Sequence, residues 1–293
     1  MIAFAIRVLR VFLRDKATIF FTYFSALILL VLYGAFFGKM NVDSLLDNAP
    51  GVSRSAATGF VTAWVVAALI TVTSINAPMA GMSRVANDKL TGQMADFLVA
   101  PLAARQLMGG YLLATWLYTL CATAVIGVIG LIGVVVFGGT LPSVLGLAQL
   151  VVLLIVGSAV FSAAYLLVAM FISSQGALSA ASGLVGALSG FLALAYVPAG
   201  MLGESVVSVA NLLPFAPAAV VARQSVAAQS LDAIGMPQAA RDDLASFLGM
   251  DFAIFGGSHA TWLAWIIMLL YGLVAFVAAV VMAGRLRRYV PKG

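Results

Sequence analysis

Few residues of this chain could carry out acid, base or nucleophilic chemistry. Hydrolysis by a serine needs a histidine as general base, and the chain has one histidine, His259, with Ser189-Gly190 as the best serine candidate. The glycine expected two residues before that serine is absent, because position 187 is Ala187. A single histidine also excludes a histidine-rich metal site. The sequence therefore predicts that the chain is not an enzyme.

The sequence also lacks the phosphate-binding loop of an ATPase. A phosphate-binding loop needs Gly-x-x-x-x-Gly-Lys-Ser/Thr, in which backbone amides and a lysine hold the phosphates. The chain has four lysines, and the nearest approach, Gly38-Lys39-Met40, lacks the hydroxyl residue. If the protein works with ATP, we expect the ATPase to be a separate polypeptide.

One internal segment, residues 84–105, is rich in charge while its surroundings have none. Residues 55–83 on one side and the 98 residues 106–203 on the other contain no Asp, Glu, Lys or Arg. A charged side chain at the centre of a bilayer costs about 2.5–3.5 kcal/mol. Residues 84–105 are therefore expected to lie in water between two membrane spans.

Composition sets the protein class. The chain has 293 residues, 63% of them hydrophobic and 9% charged, whereas soluble domains have about 25% charged residues. Its apolar runs exceed the roughly 20 residues that a spanning helix needs and lack the alternation of barrel strands. The net charge of +5 lies at the chain ends and in residues 84–105, which favours anionic membrane lipid as the partner and not nucleic acid.

Uncharged windows and turn residues place six membrane spans. Turn chemistry at residues 137–143 and 173–176 divides the long uncharged stretch into three. The predicted spans are 17–38, 59–81, 107–136, 145–172, 177–199 and 259–284. The expected fold is an all-α integral membrane protein with six transmembrane helices, preceded by an N-terminal amphipathic interfacial helix.

Three parts follow from this division. Residues 1–16 place Arg7, Arg10 and Arg14 on one face, which favours a helix lying on the membrane surface, although a plain basic flank of the first span is the alternative. Residues 17–284 form the six-span domain, with a cytoplasmic coupling loop at 82–106 and an external or re-entrant segment at 200–258. Residues 285–293 form a basic cytoplasmic tail.

The basic residues also predict the orientation. With the amino terminus inside, 11 of the 15 Lys and Arg residues face the cytoplasm, as the positive-inside rule requires. Both termini are then cytoplasmic. The four basic residues expected outside are Lys39, Arg54, Arg223 and Arg241.

Within the charged segment the pattern predicts a short amphipathic helix. Asn87 or Asp88 is a plausible N-cap and Pro101 a plausible stop. The apolar residues at spacings of four, three and one are Leu90, Met94, Phe97 and Leu98, while Lys89, Gln93 and Asp96 are expected to remain in water. So short a stripe must be covered, either by protein or by lipid headgroups, and the spacing favours the two equally.

The same residues resemble the first cytoplasmic loop of ABC type 2 transporter permeases. The positions that match that family's pattern are Asp88, Gly92, Met94, Phe97, Leu98 and Pro101. The chain departs from it at Leu90, Gln93 and Ala95. The six-span layout is similar over nearly the whole chain, and the family's external Pro, Asn-Pro and terminal Arg spacing resembles Pro198, Leu213-Pro214 and Arg223.

This resemblance implies a multi-pass permease of a prokaryotic cytoplasmic membrane. Its expected partners are a cytoplasmic ATP-binding cassette ATPase, which would hold ATP and Mg²⁺, and a second permease subunit, identical or homologous. The expected ATPase-coupling helix comprises Asp88, Leu90, Gly92, Met94, Asp96, Phe97, Leu98 and Pro101.

Small and polar residues suggest two further surfaces. A close-packing face on span five comprises Ser179, Gly183, Gly186 and Gly190, and serves either a dimer interface or packing within the subunit. In the resembled family, spans two and five commonly line the substrate route, which makes candidates of Thr71, Thr73, Ser74, Asn76, Ser182 and Ser189. Polar groups inside a bundle more often bond to one another.

The expected cargo follows from the lack of charge in the spans. A pump for protons or cations usually needs an ionisable residue at membrane depth. An uncharged route instead suits a hydrophobic or amphipathic drug, peptide or lipid-like molecule, exported by an ABC transporter. The alternatives are a lipid-linked glycan exporter of the same family, or a secondary transporter or membrane scaffold without an ATPase.

Overall fold

A computed structural model describes residues 1–33, 38–48, 51–99, 103–255 and 257–286. Within these residues the chain forms thirteen α-helices and one antiparallel hairpin, β1 (Phe252–Ile254) with β2 (Gly257–His259), in which Ala253 pairs with Ser258. The helices are α1 Ile2–Arg14, α2 Lys16–Leu32, α3 Gly38–Asn48, α4 Arg54–Asn76, α5 Met79–Leu90, α6 Gln93–Val99, α7 Ala104–Val136, α8 Val144–Phe171, α9 Gln175–Leu192, α10 Glu204–Leu212, α11 Phe215–Asp232, α12 Gln238–Phe247 and α13 Thr261–Leu286.

Five helices among the described residues are long and apolar enough to cross a membrane. They are Arg54–Leu90 (α4 continued by α5), Ala104–Val136, Val144–Phe171, Gln175–Leu192 and Thr261–Met282. The chain is thus a predominantly helical membrane protein. The helix α2 has 17 residues, slightly fewer than the roughly 20 that a span needs.

Two predicted spans have different lengths in the structure. The second, predicted at 59–81, belongs to a 37-residue helix, Arg54–Leu90, that continues into the charged segment. The fifth, predicted to reach residue 199, ends at Leu192 because the backbone of Leu194 is left-handed, with φ of 51°. A non-glycine residue adopts that conformation only where surrounding contacts hold it.

Asp15 separates α1 from α2 and starts the second of these helices. Its carboxylate accepts hydrogen bonds from the backbone N–H groups of Ala17 and Thr18, both at 3.1 Å, and from the Thr18 hydroxyl at 2.7 Å. Together these bonds, chiefly the one from the Thr18 hydroxyl, lower the pKa of Asp15 below its ordinary value. The N-cap therefore keeps its charge at neutral pH, beside N–H groups that a helix start leaves unpaired.

The helix α11 lies at the centre of the fold. It follows α10 after a bend of 95° at Leu213-Pro214, and it packs on α4, α8 and α13. Most of its side chains are buried. Within the segment 200–258, α11 is therefore an internal helix of the bundle.

Arg223 of α11 is fully buried, so its charge is enclosed by protein and does not lie in water. Its guanidinium donates hydrogen bonds to the carbonyl oxygens of Leu194 and Gly249, the second at 2.9 Å, and lies 5.3 Å from the centre of the Trp64 ring. The Trp64 indole in turn donates to the Leu248 carbonyl at 3.0 Å. Arg223 thus joins α11 to the ends of α9 and α12 and to α4.

We expect Arg223→Met to lower the free energy of unfolding by about 3 kcal/mol, because two buried carbonyls lose their donor and each costs about 1–3 kcal/mol. Denaturant unfolding in mild detergent measures the change. The control Arg241→Met removes a partly exposed pair with Asp232 and should cost less than about 1 kcal/mol. Equal effects of the two substitutions would contradict the assigned role.

Candidate functional site

The charged segment forms two helices joined by a tight turn at residues 91–92. Gly92 has φ of +79° and follows the last turn of α5, which is the common glycine ending of a helix. The Thr91 N–H and hydroxyl both donate to the Asn87 carbonyl, at 2.9 and 2.8 Å. We call α5, this turn and α6 (residues 79–99) the coupling segment.

The predicted single helix starting at Asn87 or Asp88 is wrong. Both residues lie inside α5, which begins at Met79 next to span two, and Leu90 is the last residue of α5. The predicted apolar stripe is therefore divided between two helices. Pro101 and the side chain of Leu98 lie outside the described residues.

The apolar side chains of the coupling segment pack within the subunit. Met94 is 5% exposed. The Phe97 ring lies 5.3 Å from the Phe4 ring of α1 and 4.8 Å from the Arg7 guanidinium, and Phe4 also contacts Tyr111 of α7 edge to face. Phe97 thus has an internal partner in α1.

Asp88 is also internal, with 2% exposure. Its carboxylate pairs with Arg84 one turn earlier at 3.0 Å and accepts a hydrogen bond from the Tyr111 hydroxyl at 2.5 Å. A buried carboxylate needs such partners. Asp88 therefore fixes α5 to α7, and this role differs from an exposed contact to a partner protein.

Lys89 connects the coupling segment to the end of α8. Its ammonium donates to the carbonyl oxygens of Met170 at 2.7 Å and Ile172 at 2.8 Å. These carbonyls belong to the last turn of α8, where no intrahelical donor remains and the helix dipole attracts a cation. Beside it, Gln175 of α9 donates to the Asn87 side chain at 2.9 Å. The prediction that Lys89 remains in water is corrected.

A small polar surface of the coupling segment remains exposed. It consists of Thr91, Gly92, Gln93 and Asp96. These four residues lie at the turn between α5 and α6 and on the first turn of α6. Of the predicted coupling residues with described side chains, Gly92 and Asp96 are the two on this surface.

The other end of α5 borders a cavity of about 520 Å³. The cavity lies between α2, the joint of α4 and α5, and α9. Its lining residues are Ala17, Thr18, Phe21, Thr22, Phe24, Ile28, Asn76, Met79, Ala80, Ser83, Ser182 and Gly186. We call it the α2–α5–α9 cavity.

Two of the six predicted route residues, Asn76 and Ser182, line this cavity. The others do not: Thr71 bonds to the Ala67 carbonyl at 2.9 Å, Thr73 and Ser74 are buried, and the Ser189 hydroxyl lies 3.5 Å from the Gly186 carbonyl. Sequence reasoning missed Thr18 and Thr22 of α2. The mixture of aromatic and hydroxyl residues at positions 18–24 of the sequence could have identified these two residues as part of the lining.

The predicted close-packing face of α9 is only partly open. Ser179 and Gly183 are exposed, and no atom lies within 4 Å of the position of a Cβ at Gly183 or Gly186. At Gly190 a Cβ would meet the Tyr196 ring at 2.0 Å. Gly190 therefore packs inside the subunit, which corrects its assignment to an interface.

A comparison with known proteins identifies the family to which this chain belongs. No protein of curated function matches the chain. The family described as ABC-2 family transporter protein matches residues 39–281, which include the coupling segment, α4 and α9. The chain therefore belongs to the ABC-2 family and is the membrane permease component of an ABC-type transporter.

Proposed function

We propose that the chain is the permease subunit of an exporter that moves a hydrophobic or amphipathic molecule, such as a drug, peptide or lipid-like compound, across the cytoplasmic membrane of a prokaryote. A separate ATPase, with its ATP and Mg²⁺, drives the transport. One observation carries the proposal: α5 ends at the exposed polar turn and begins at the α2–α5–α9 cavity. A displacement of the turn thereby reaches the residues that line the cavity.

The proposed ATPase contact is the polar surface Thr91, Gly92, Gln93 and Asp96. The rest of the coupling segment packs on α1, α7 and α8. An ATPase that displaces this surface would therefore move α5 as one rigid helix, together with these contacts. Met79, Ala80 and Ser83, on the first turns of α5, then shift relative to α2 and α9. ATP can bias such a motion only if the ATPase makes different contacts in the two states.

The Lys89 contact extends the motion to the next spans. It joins α5 to the end of α8, and residues 173–174 separate that end from α9, another wall of the cavity. Two walls of the cavity, α5 and α9, thus both connect to the Lys89 contact. This arrangement supports a transmitting role for Lys89, acting through α8 and α9.

The cavity lining supports the proposed cargo. Phe21, Phe24 and Ile28 supply apolar surface, and Thr18 and Asn76 supply hydrogen-bonding groups. Its described lining residues include no Asp, Glu, Lys or Arg. Such a lining accepts apolar surface together with uncharged polar groups.

The proposed topology has six spans, with α2 as the first and both termini in the cytoplasm. Residues 1–16 then lie at the inner interface: Phe4, Val8 and Phe12 are buried on a helix that packs on α7, while Ile2 and Leu13 are exposed and would meet lipid. Residues 17–284 form the six-span domain. In this topology α12 and the hairpin β1–β2 are external, and residues 285–293 form a cytoplasmic tail.

A second permease subunit, identical or homologous, is proposed to pack on the open part of the α9 face. Ser179 and Gly183 are small, exposed and uncovered. Small residues let helix backbones approach closely within a membrane.

The double variant Gln93→Arg, Asp96→Arg should weaken ATPase binding about tenfold, because it changes the formal charge of the proposed contact surface by three. Co-purification of the permease with a tagged ATPase measures the loss. The control Asp243→Arg changes an exposed residue of α12 and should bind normally. Unchanged binding of the double variant would contradict this docking surface.

Lys89→Gln should leave ATPase binding intact and lower transport per ATP hydrolysed about tenfold, because the shorter, neutral side chain loses the charge-assisted hydrogen bonds to the two carbonyls at the end of α8. Transport and ATP hydrolysis are measured together in proteoliposomes. Lys89→Arg keeps several donors and should restore much of the coupling. A normal ratio in Lys89→Gln would exclude the transmitting role.

Replacing both Ser179 and Gly183 with Leu should convert the dimer to monomer in mild detergent, because helix contacts of this kind contribute only about 0.6–2 kcal/mol each. Light scattering after size exclusion measures the mass. The control is Gly133→Leu, at another open glycine, on α7. A monomeric parent, or a variant that stays dimeric, would disprove this interface.

A further inference from the structure

A second groove lies between α2, α3, α4 and the end of α7, with a volume of about 350 Å³. Lys39, Arg54 and Thr58 line one part of it, and Leu30, Val65 and Leu69 line another. Cations and a continuous apolar wall thus occur in one groove. We call it the Lys39–Arg54 groove.

The length of this groove matches one leaflet of a bilayer. Its residues on α4 extend from Arg54 to Leu69, a distance of about 22 Å at the rise of an α-helix. The part from Thr58 to Leu69 covers about 16 Å, and half of a hydrocarbon core is about 15 Å. The cations therefore lie one leaflet away from the deepest apolar residues.

The charge at the mouth of the groove favours an anion. Lys39 is exposed, and no ion pair joins it to any residue that the structure describes. Arg54 pairs with Asp43 at 2.6 Å through one terminal nitrogen, yet its side chain remains 65% exposed. The Arg54 guanidinium has further N–H donors. The three side chains together carry a charge of +1.

We propose that the Lys39–Arg54 groove binds an anionic phospholipid, with the headgroup phosphate at Lys39 and Arg54 and an acyl chain along Val65 and Leu69. A soluble phosphate would leave the apolar wall without a ligand. A zwitterionic lipid would gain little from the cations. Basic residues at the membrane surface attract anionic headgroups in this way.

This lipid site is separate from the α2–α5–α9 cavity. The two share α2 and α4 but none of their lining residues. In the proposed topology the lipid belongs to the outer leaflet. Its binding requires neither an ATPase nor transport, so it can be tested independently of the proposed function.

The experiment measures lipid binding to the delipidated full chain by native mass spectrometry. Probes are phosphatidylglycerol, phosphatidylcholine and glycerol 3-phosphate. We expect Lys39→Gln to reduce phosphatidylglycerol binding about fivefold, because the bound headgroup phosphate loses one of its two cations, each of which contributes about 1 kcal/mol, and to leave phosphatidylcholine binding unchanged. The matched control Lys16→Gln removes an exposed lysine at the other end of α2 and should bind like the parent.

A second variant tests the apolar wall. Thr62 is half-buried and lines the groove, so Thr62→Phe should fill it and reduce the binding of phosphatidylglycerol as well as of phosphatidylcholine. Unfolding temperatures without lipid should match the parent for all variants. Equal losses for Lys39→Gln and Lys16→Gln, full binding by Thr62→Phe, or displacement of the lipid by glycerol 3-phosphate would each overturn the proposal.

Discussion

The rest of the fold depends on how a chain with few acidic residues pairs its buried cations. Arg223 has no carboxylate among its described partners and donates instead to the carbonyls of Leu194 and Gly249. Both acceptors lie just beyond a helix end, after α9 and after α12. Carbonyls at helix C-termini lack intrahelical donors and carry the negative end of the helix dipole. Arg223 therefore satisfies two carbonyls at once and joins the ends of α9 and α12 to α11.

The coupling segment uses the same chemistry on another part of the molecule. Lys89, which is partly buried, donates to carbonyls at the end of α8, so a second cation also pairs with backbone and not with an acid. Among the described side chains of this segment, an ion pair joins Asp88 to Arg84. A contact between an ammonium and two backbone carbonyls depends on distance and direction, and displacement of α5 would break it unless α8 follows. The contact is thus suited to transmitting motion between helices.

The two openings that α2 lines, the α2–α5–α9 cavity and the Lys39–Arg54 groove, differ in the charge of their lining residues. The described residues that line the α2–α5–α9 cavity are uncharged, and those of the Lys39–Arg54 groove include two cations. An uncharged lining lets a molecule leave without the cost of breaking ion pairs, which suits a transport route. A cationic mouth above an apolar wall retains an anionic amphiphile, which suits a resident lipid. The two sites can therefore act on different molecules although they share α2 and α4.

The sequence by itself determined the membrane class and the approximate positions of α7, α8 and α13, because absence of charge over some twenty residues is a local property. It also indicated the family, through the pattern from Asp88 to Pro101. Only the tertiary structure decided which neighbour covers each residue. Periodicity placed Phe97 on an apolar face, but its partner Phe4 comes from α1, and Lys89 reaches carbonyls more than eighty residues away. Spacing specifies which residues share a face, whereas the long-range packing of helices selects what that face contacts. For that reason the sequence, in which Arg223 ends an apolar stretch, could not predict that its guanidinium is buried against the ends of α9 and α12.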